Sequence, residues 1–201
     1  MAIAVEDICN KALRRIGYPT PIGSIYEGSV ASRAAIEIYV QARDELMESE
    51  DWQFARQEIG LKLLKTAPVG GYGLTPWTSI YPLLPWIYEY AYPSGCLRIR
   101  SVRPTPVALP EWDPVPNIFT IANDSALGQK VVLSNLAGAV ASFTALIDDP
   151  AQWSPEPRFI EALIERLALR FQEALRSDPE AVKARMAEAA GSVVSVADNR
   201  G

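Results

Sequence analysis

The chain has 201 residues, of which 49% are hydrophobic and 21% charged, as in a folded globular protein of one domain or one domain with an insertion. It carries a formal net charge of −5 and no histidine. The charge argues against gripping nucleic acid by neutralising phosphates, and the missing imidazole removes the commonest general base, the usual serine and cysteine triads and most zinc sites.

A chain of this length can bury a core without metals or disulfides. Cys9 and Cys96 are far apart and fit no metal spacing. Cys9 falls on the apolar side of a predicted helix, where a buried free thiol is expected. A disulfide is not expected for a protein made in a reducing cytoplasm. No apolar run approaches the ~20 residues that a membrane helix needs. The first residues lack a basic stretch followed by an uninterrupted apolar one, so no signal peptide is expected.

Val5, Ile8, Cys9, Ala12, Leu13 and Ile16 recur at helical spacing and predict a first helix. Arg14 and Arg15 suit its last turn, and Gly17 followed by Pro19 stops it. Residues 18–29 read as a turn-rich connector. Ser29 can cap a second helix. Its apolar positions form one stripe through Ala31, Ala35, Ile38, Ala42 and Leu46. A second stripe runs through Ile36, Tyr39, Val40, Arg43 and Met47. Two partly apolar sides call for two neighbours; the second is either the chain's own core or an adjacent subunit.

After Glu50 the period changes. Trp52, Phe54, Ile59, Leu61 and Leu63 predict extended structure that begins at the tryptophan. Residues 66–84, TAPVGGYGLTPWTSIYPLL, are too rich in glycine and proline for a regular element. A long loop of this kind is either functional or disordered. Its Tyr72, Trp77 and Tyr81 favour a segment that docks on something over a solvated linker. Strands are predicted over 86–91, 96–102, 117–122, 130–134 and 139–147, the last with a short helix as the alternative. A proline-rich loop, 104–116, contains Trp112. A strong helix starts at Ser154 or Glu156, with Ile160, Leu163, Ile164, Leu167, Ala168, Phe171, Ala174 and Leu175 on one side. Ser177 and Glu180 have capping-box spacing for a further helix that ends at Gly191.

The predicted class is α+β. Residues 1–50 and 154–191 form a helical bundle, residues 51–150 an inserted, mostly antiparallel β region with long loops, and residues 192–201 an extended C-terminal arm. No internal repeat is present.

No motif carries specific chemistry. GGYG at positions 70–73 lacks the lysine and the following helix of a phosphate loop. Asp44, Glu45, Glu48, Glu50 and Asp51 read as a solvated acidic face. The alternative is a negative patch that faces DNA or a neighbour's arginine. Asp148 and Asp149 read as a turn before Pro150 rather than a cation site. Arg98, Arg100 and Arg103 form a basic row that suits ion pairs between subunits more than nucleic acid.

Four stretches, in order, carry a family resemblance: ALRRIGYPTPIGSIYEG, QARDELMESEDWQFA, WIYEYAYPSGCLRIRSV and DDPAQWSPEPRFIEALIERLALRF. Together they resemble the head-to-tail adaptor, or tail tubular protein A, family of short-tailed bacteriophages. The match runs from about Ala12 to Leu175 and is weakest over 66–84 and 105–116. The resemblance implies a structural virion protein, not an enzyme, with no cofactor and no metal. It would be made in the host cytoplasm and sit at the head–tail interface as a dodecameric ring. Its partners would be further copies of itself, the portal protein and the tail nozzle protein. Genome DNA would pass through the ring without specific binding, and no membrane would be involved. Related adaptors use a C-terminal arm for attachment, which extends here to Val193, Val194, Val196, Asn199 and Arg200 as portal-binding residues. Tyr72, Trp77, Tyr81 and Trp112 would serve the nozzle or a neighbouring subunit, and Asp44, Glu45, Glu48 and Asp51 would face the channel. The rival from a different class is a small carboxylate-dependent hydrolase, which needs a pocket holding an acid of raised pKa.

Overall fold

The structure, a computed structural model, describes residues 3–73, 75–105, 119–153 and 156–177. These divide into two compact units: one draws on residues 1–50 and those from 147 on, the other on residues 51–146.

In the first unit, α1 (Val5–Arg15) buries the predicted stripe, with Ile8, Cys9, Ala12 and Leu13 closed to solvent. It ends as the sequence demands. Gly17 takes φ +72°, a left-handed conformation that costs glycine little, and the amides of Gly17 and Tyr18 turn back to the carbonyls of Arg14 and Leu13, both at 3.0 Å. Asn10 then clamps the connector, its side-chain amide donating to the Ile22 carbonyl at 2.9 Å and its oxygen accepting the Ile22 N–H at 2.8 Å. Ser29 caps α2 (Val30–Ser49) by accepting the Ser32 N–H at 3.2 Å.

The 21-residue α3 (Pro157–Ser177) packs on both α1 and α2. Phe159, Leu163, Ile164, Leu167, Phe171 and Leu175 form the buried side of α3. Trp153, in the short helical turn Pro150–Trp153, meets Phe159 edge to face with ring centres 5.1 Å apart. Its indole N–H donates to the Ile147 carbonyl at 3.1 Å, so a large apolar side chain is buried with its one polar atom satisfied.

The second unit is built from antiparallel strands. β1 (Arg56–Gly60) lies beside β7 (Ala139–Ala145), and β7 beside β4 (Cys96–Pro104), in one sheet. The other sheet runs β2 (Leu63–Thr66), β3 (Tyr88–Ala91), β6 (Gln129–Ser134) and β5 (Phe119–Asp124). β7 is central in its sheet, which explains why Ala141, Phe143, Thr144 and Ala145 are all buried. Register irregularities between Cys96 and Arg98 and between Ile99 and Ser101 break the alternation of β4. They leave Ile99 and Val102, three positions apart, as its buried residues.

Two expectations are corrected. The fold class is not a helical bundle with an inserted β region: the described residues hold seven strands in two separate antiparallel sheets and only three α-helices. Long stripes over α2 and α3 dominate a reading by periodicity. The short strands carry little signal, and β1 is exposed throughout. The helix expected over 178–191 lies outside the described residues. Extended structure also does not begin at Trp52. Gln53–Ala55 is a 3-10 turn, closed by the Ala55 N–H on the Trp52 carbonyl at 3.1 Å, and it places Trp52 and Ala55 inside before β1 starts.

Candidate functional site

The loop between β2 and β3, residues 67–87, is the segment whose shape the sequence least constrains. Paired glycines start it: Gly70 and Gly71 take φ +84° and +78°, and the Gly71 N–H closes a turn on the Pro68 carbonyl at 2.9 Å. The loop's base is tied by the Ala67 N–H to the Ile87 carbonyl at 2.7 Å. Inside it, two aromatic donors converge on one acceptor. The Trp77 indole N–H donates to the carbonyl of Pro82 at 2.7 Å, and the Tyr72 hydroxyl reaches the same oxygen at 3.1 Å. Tyr81 packs edge-on against Tyr72, centres 6.1 Å apart. Three of the four predicted loop aromatics are therefore brought together, and they dock on their own loop. Trp112 lies outside the described residues.

With its aromatics turned to internal bonds, the loop shows other apolar groups to solvent. Val69 is 102% exposed and Ile80 69%, with Leu84 and part of Trp77 also open. Among the described residues of the second unit, Val69, Ile80 and Leu84 are the most exposed large apolar side chains, and they fall within sixteen positions of one another in a loop tied by its own hydrogen bonds.

Lys65 of β2, Glu89 of β3 and Asp124 of β5 form a buried charged cluster that the sequence reading missed. Lys65 and Asp124 form an ion pair, and the Lys65 ammonium lies 3.4 Å from Glu89 Oε1. The other Asp124 oxygen accepts the Ala126 N–H at 2.7 Å and the Leu127 N–H at 3.4 Å, which shapes the β5–β6 turn. Burial alone would raise the Asp124 carboxyl; hydrogen bonds from Lys65, from Glu89 and from the two amides outweigh it and hold the group down to about 2. Burial, then Asp124, pushes the Glu89 carboxyl up against the pull of Lys65. The signal for this cluster was present: Glu89 is a lone acid between aromatics in YEYA, and Lys65 follows an apolar run.

The predicted channel acids are all engaged. Asp44 pairs with Arg43 at 2.7 Å, Glu45 with Arg170 at 2.5 Å, and Asp51 with Arg56 at 2.5 Å. Glu48 is exposed and also has a partner. Asp51 belongs to the second unit and the other three acids to the first. Arg43 is itself buried. It bridges Asp44 and Asp148, the latter at 2.6 Å, and stacks over Tyr39 at 5.9 Å. Asp149 caps the turn that follows by accepting the Ala151 N–H at 2.9 Å. Arg100 donates to Thr144 at 2.8 Å and Arg103 pairs with Glu58, so both serve their own sheet. Cys9 is buried, and that burial pushes its thiol up to about 12. Val193, Val194, Val196, Asn199 and Arg200 lie outside the described residues.

Among the described residues no group of three or more histidine, cysteine, aspartate or glutamate side chains is placed to hold a metal ion, and no helix is long and apolar enough to cross a membrane. No protein-family model matches the chain, and no curated protein matches it.

Proposed function

We propose that this chain is a structural virion protein, a ring-forming adaptor that joins the portal to the tail nozzle of a short-tailed bacteriophage and lines the channel through which DNA passes. The four-part sequence resemblance supplies the identity of the assembly. The observation that carries the reading is the loop at 67–87, held by its own hydrogen bonds yet apolar at Val69, Ile80 and Leu84. Covering these side chains would remove apolar area from water, and a loop already tied by its own hydrogen bonds costs little ordering entropy to bind. The net charge of −5 suits a channel wall that repels phosphates and lets DNA slide. Asp44, Glu45 and Asp51 would show such a channel a charge already moderated by their arginines.

The hydrolase reading turns on Glu89, a carboxyl of raised pKa. Its side chain is 0% exposed and its strand is paired on both edges, so a substrate would have to open the sheet to reach it. That favours the adaptor.

The test is to mix the full chain with heads that carry a portal but no tail, sediment the particles, and view them by electron microscopy. Added density in the form of a ring at the portal supports the proposal. Protein left entirely in the supernatant, with bare portals, argues against it. Light scattering of the free chain alone is a weaker test, because a ring protein can stay monomeric until it meets the portal.

A further inference from the structure

We propose that Glu89 is a proton-binding site: the buried Lys65–Glu89–Asp124 cluster is held neutral by one proton on Glu89, and loss of that proton loosens the loop at 67–87. The inference stands on the sheet geometry and goes beyond the adaptor reading.

The first argument is charge balance. One ammonium and two carboxyls sit together with side-chain exposures of 11%, 0% and 5% for Lys65, Glu89 and Asp124. Three ionised groups would leave one negative charge uncompensated in a region closed to water, which is costly. One proton removes it. The second argument decides where the proton sits. Asp124 accepts from Lys65 and from two backbone amides, three donors that all favour its ionised form. Glu89 is held less well: its ion-pair partner, the Lys65 ammonium, stands 3.4 Å from Oε1, and neither carboxyl oxygen accepts a backbone amide among the described residues. A proton placed on Asp124 would displace a donor, whereas one placed on Glu89 displaces none. Protonated Glu89 also gains a bond, because its hydroxyl can donate to the Asp124 carboxylate. The cluster is assembled on purpose-built geometry: a register irregularity between Leu63 and Lys65 accompanies the inward lysine.

The charged and titratable groups that face Glu89 are Lys65 from β2, Asp124 from β5 and Tyr72 from the loop. β6 contributes Leu133 opposite it, an apolar neighbour. Register links the site to the loop: Lys65 pairs with Glu89 and Thr66 with Tyr88, and the next bond, from the Ala67 N–H to the Ile87 carbonyl, ties the loop's base, so repulsion between an ionised Glu89 and Asp124 strains the pairing that holds it.

The direction follows from linkage. Glu89 has a folded pKa above its unfolded one, so its contribution to stability is fully present below the unfolded value and is lost as pH rises through the folded value. Asp124 works in the opposite sense. Its folded pKa is depressed, so its contribution is present above the unfolded value of 3.8 and is lost only as pH falls towards about 2.

The experiment uses the full chain in two measurements. Carbon-13 spectra of the glutamate carboxyls, with Glu89 assigned by its absence in Glu89→Gln, should show it titrating above the exposed glutamates. A Glu89 carboxyl that titrates with the exposed glutamates overturns the proposal, and this readout on the unmutated protein stands even if the variant folds poorly. Amide hydrogen exchange at Ala67 and Ile87 is then compared between the wild type and Glu89→Gln at matched pH from 5 to 9. The wild type should lose protection relative to the variant as pH rises, because glutamine cannot ionise. Equal protection at every pH, or a variant that is less protected throughout, overturns it.

Discussion

The two units spend their apolar residues differently. In the first, the helices turn them inward: Trp153, Phe159, Leu163, Leu167 and Phe171 are closed off, and charges serve as a paired rim, with Arg15 reaching Glu161 at 2.6 Å and Arg170 reaching Glu45. In the second, one sheet buries the charged cluster of Lys65, Glu89 and Asp124, while the loop between two of its strands leaves Val69, Ile80 and Leu84 in solvent. The first unit also leaves Tyr26 and Leu169 open, so the difference lies in the buried charge and in the one loop that holds the exposed apolar groups, not in their presence. The contrast makes the loop between β2 and β3 the contact that the proposed adaptor would use.

The largest effect that can break this contrast lies in the first unit. Phe159→Ala removes a ring packed on Trp153 and should cost about 3–5 kcal/mol in denaturant titration. A loss below about 1 kcal/mol would mean that the helical core is not the stability centre. Next comes Asp124→Asn, which leaves the Lys65 ammonium facing only Glu89. It should cost about 3 kcal/mol at pH 7. The loss should shrink as pH falls from 4 towards 2, because the wild type then surrenders the same carboxylate; a constant loss would contradict the depressed Asp124 pKa. Arg43→Met should cost less, about 1–2 kcal/mol. Its side chain is 8% exposed, but its partner Asp148 is 71% exposed and returns to water freely. Ser29→Ala should cost about 1 kcal/mol through the lost cap on Ser32. Smallest is Tyr72→Phe, about 0.5–1 kcal/mol, felt as faster exchange in the loop with the global midpoint almost unmoved. A large global loss there would show that the loop is part of the core.

What the sequence made legible follows the strength of local signals. The stripe of α1, its stop at Gly17, the Ser29 cap and the long stripe of α3 each sit within a few turns of chain, and each is present as read. β1 could not be read well because Arg56–Gly60 is exposed at every position and has no alternation to show. β4 hides its alternation behind two irregularities. Trp52 misleads because an aromatic beside a helix end suggests a strand, whereas a 3-10 turn buries it equally well. The charged cluster is assembled from residues 24 and 35 positions apart along the chain, so only pairing between strands reveals it. In α2, Ile36 and Val40 are exposed while Tyr39, Arg43 and Met47 of the same predicted stripe are buried, which no helical wheel separates without the neighbouring helices.

The central claim of the adaptor reading is that the exposed apolar residues of the loop, Val69 and Ile80, make the contact between neighbouring copies that the ring needs. The direct measurement is occupancy on portal-bearing heads, counted by electron microscopy, for the wild type and for the double variant Val69→Asp, Ile80→Asp. Both positions are open to solvent, so the variant should keep the wild-type denaturation midpoint. The account predicts that it stays folded and that ring density at the portal is lost. Wild-type occupancy by the folded variant would contradict the claim.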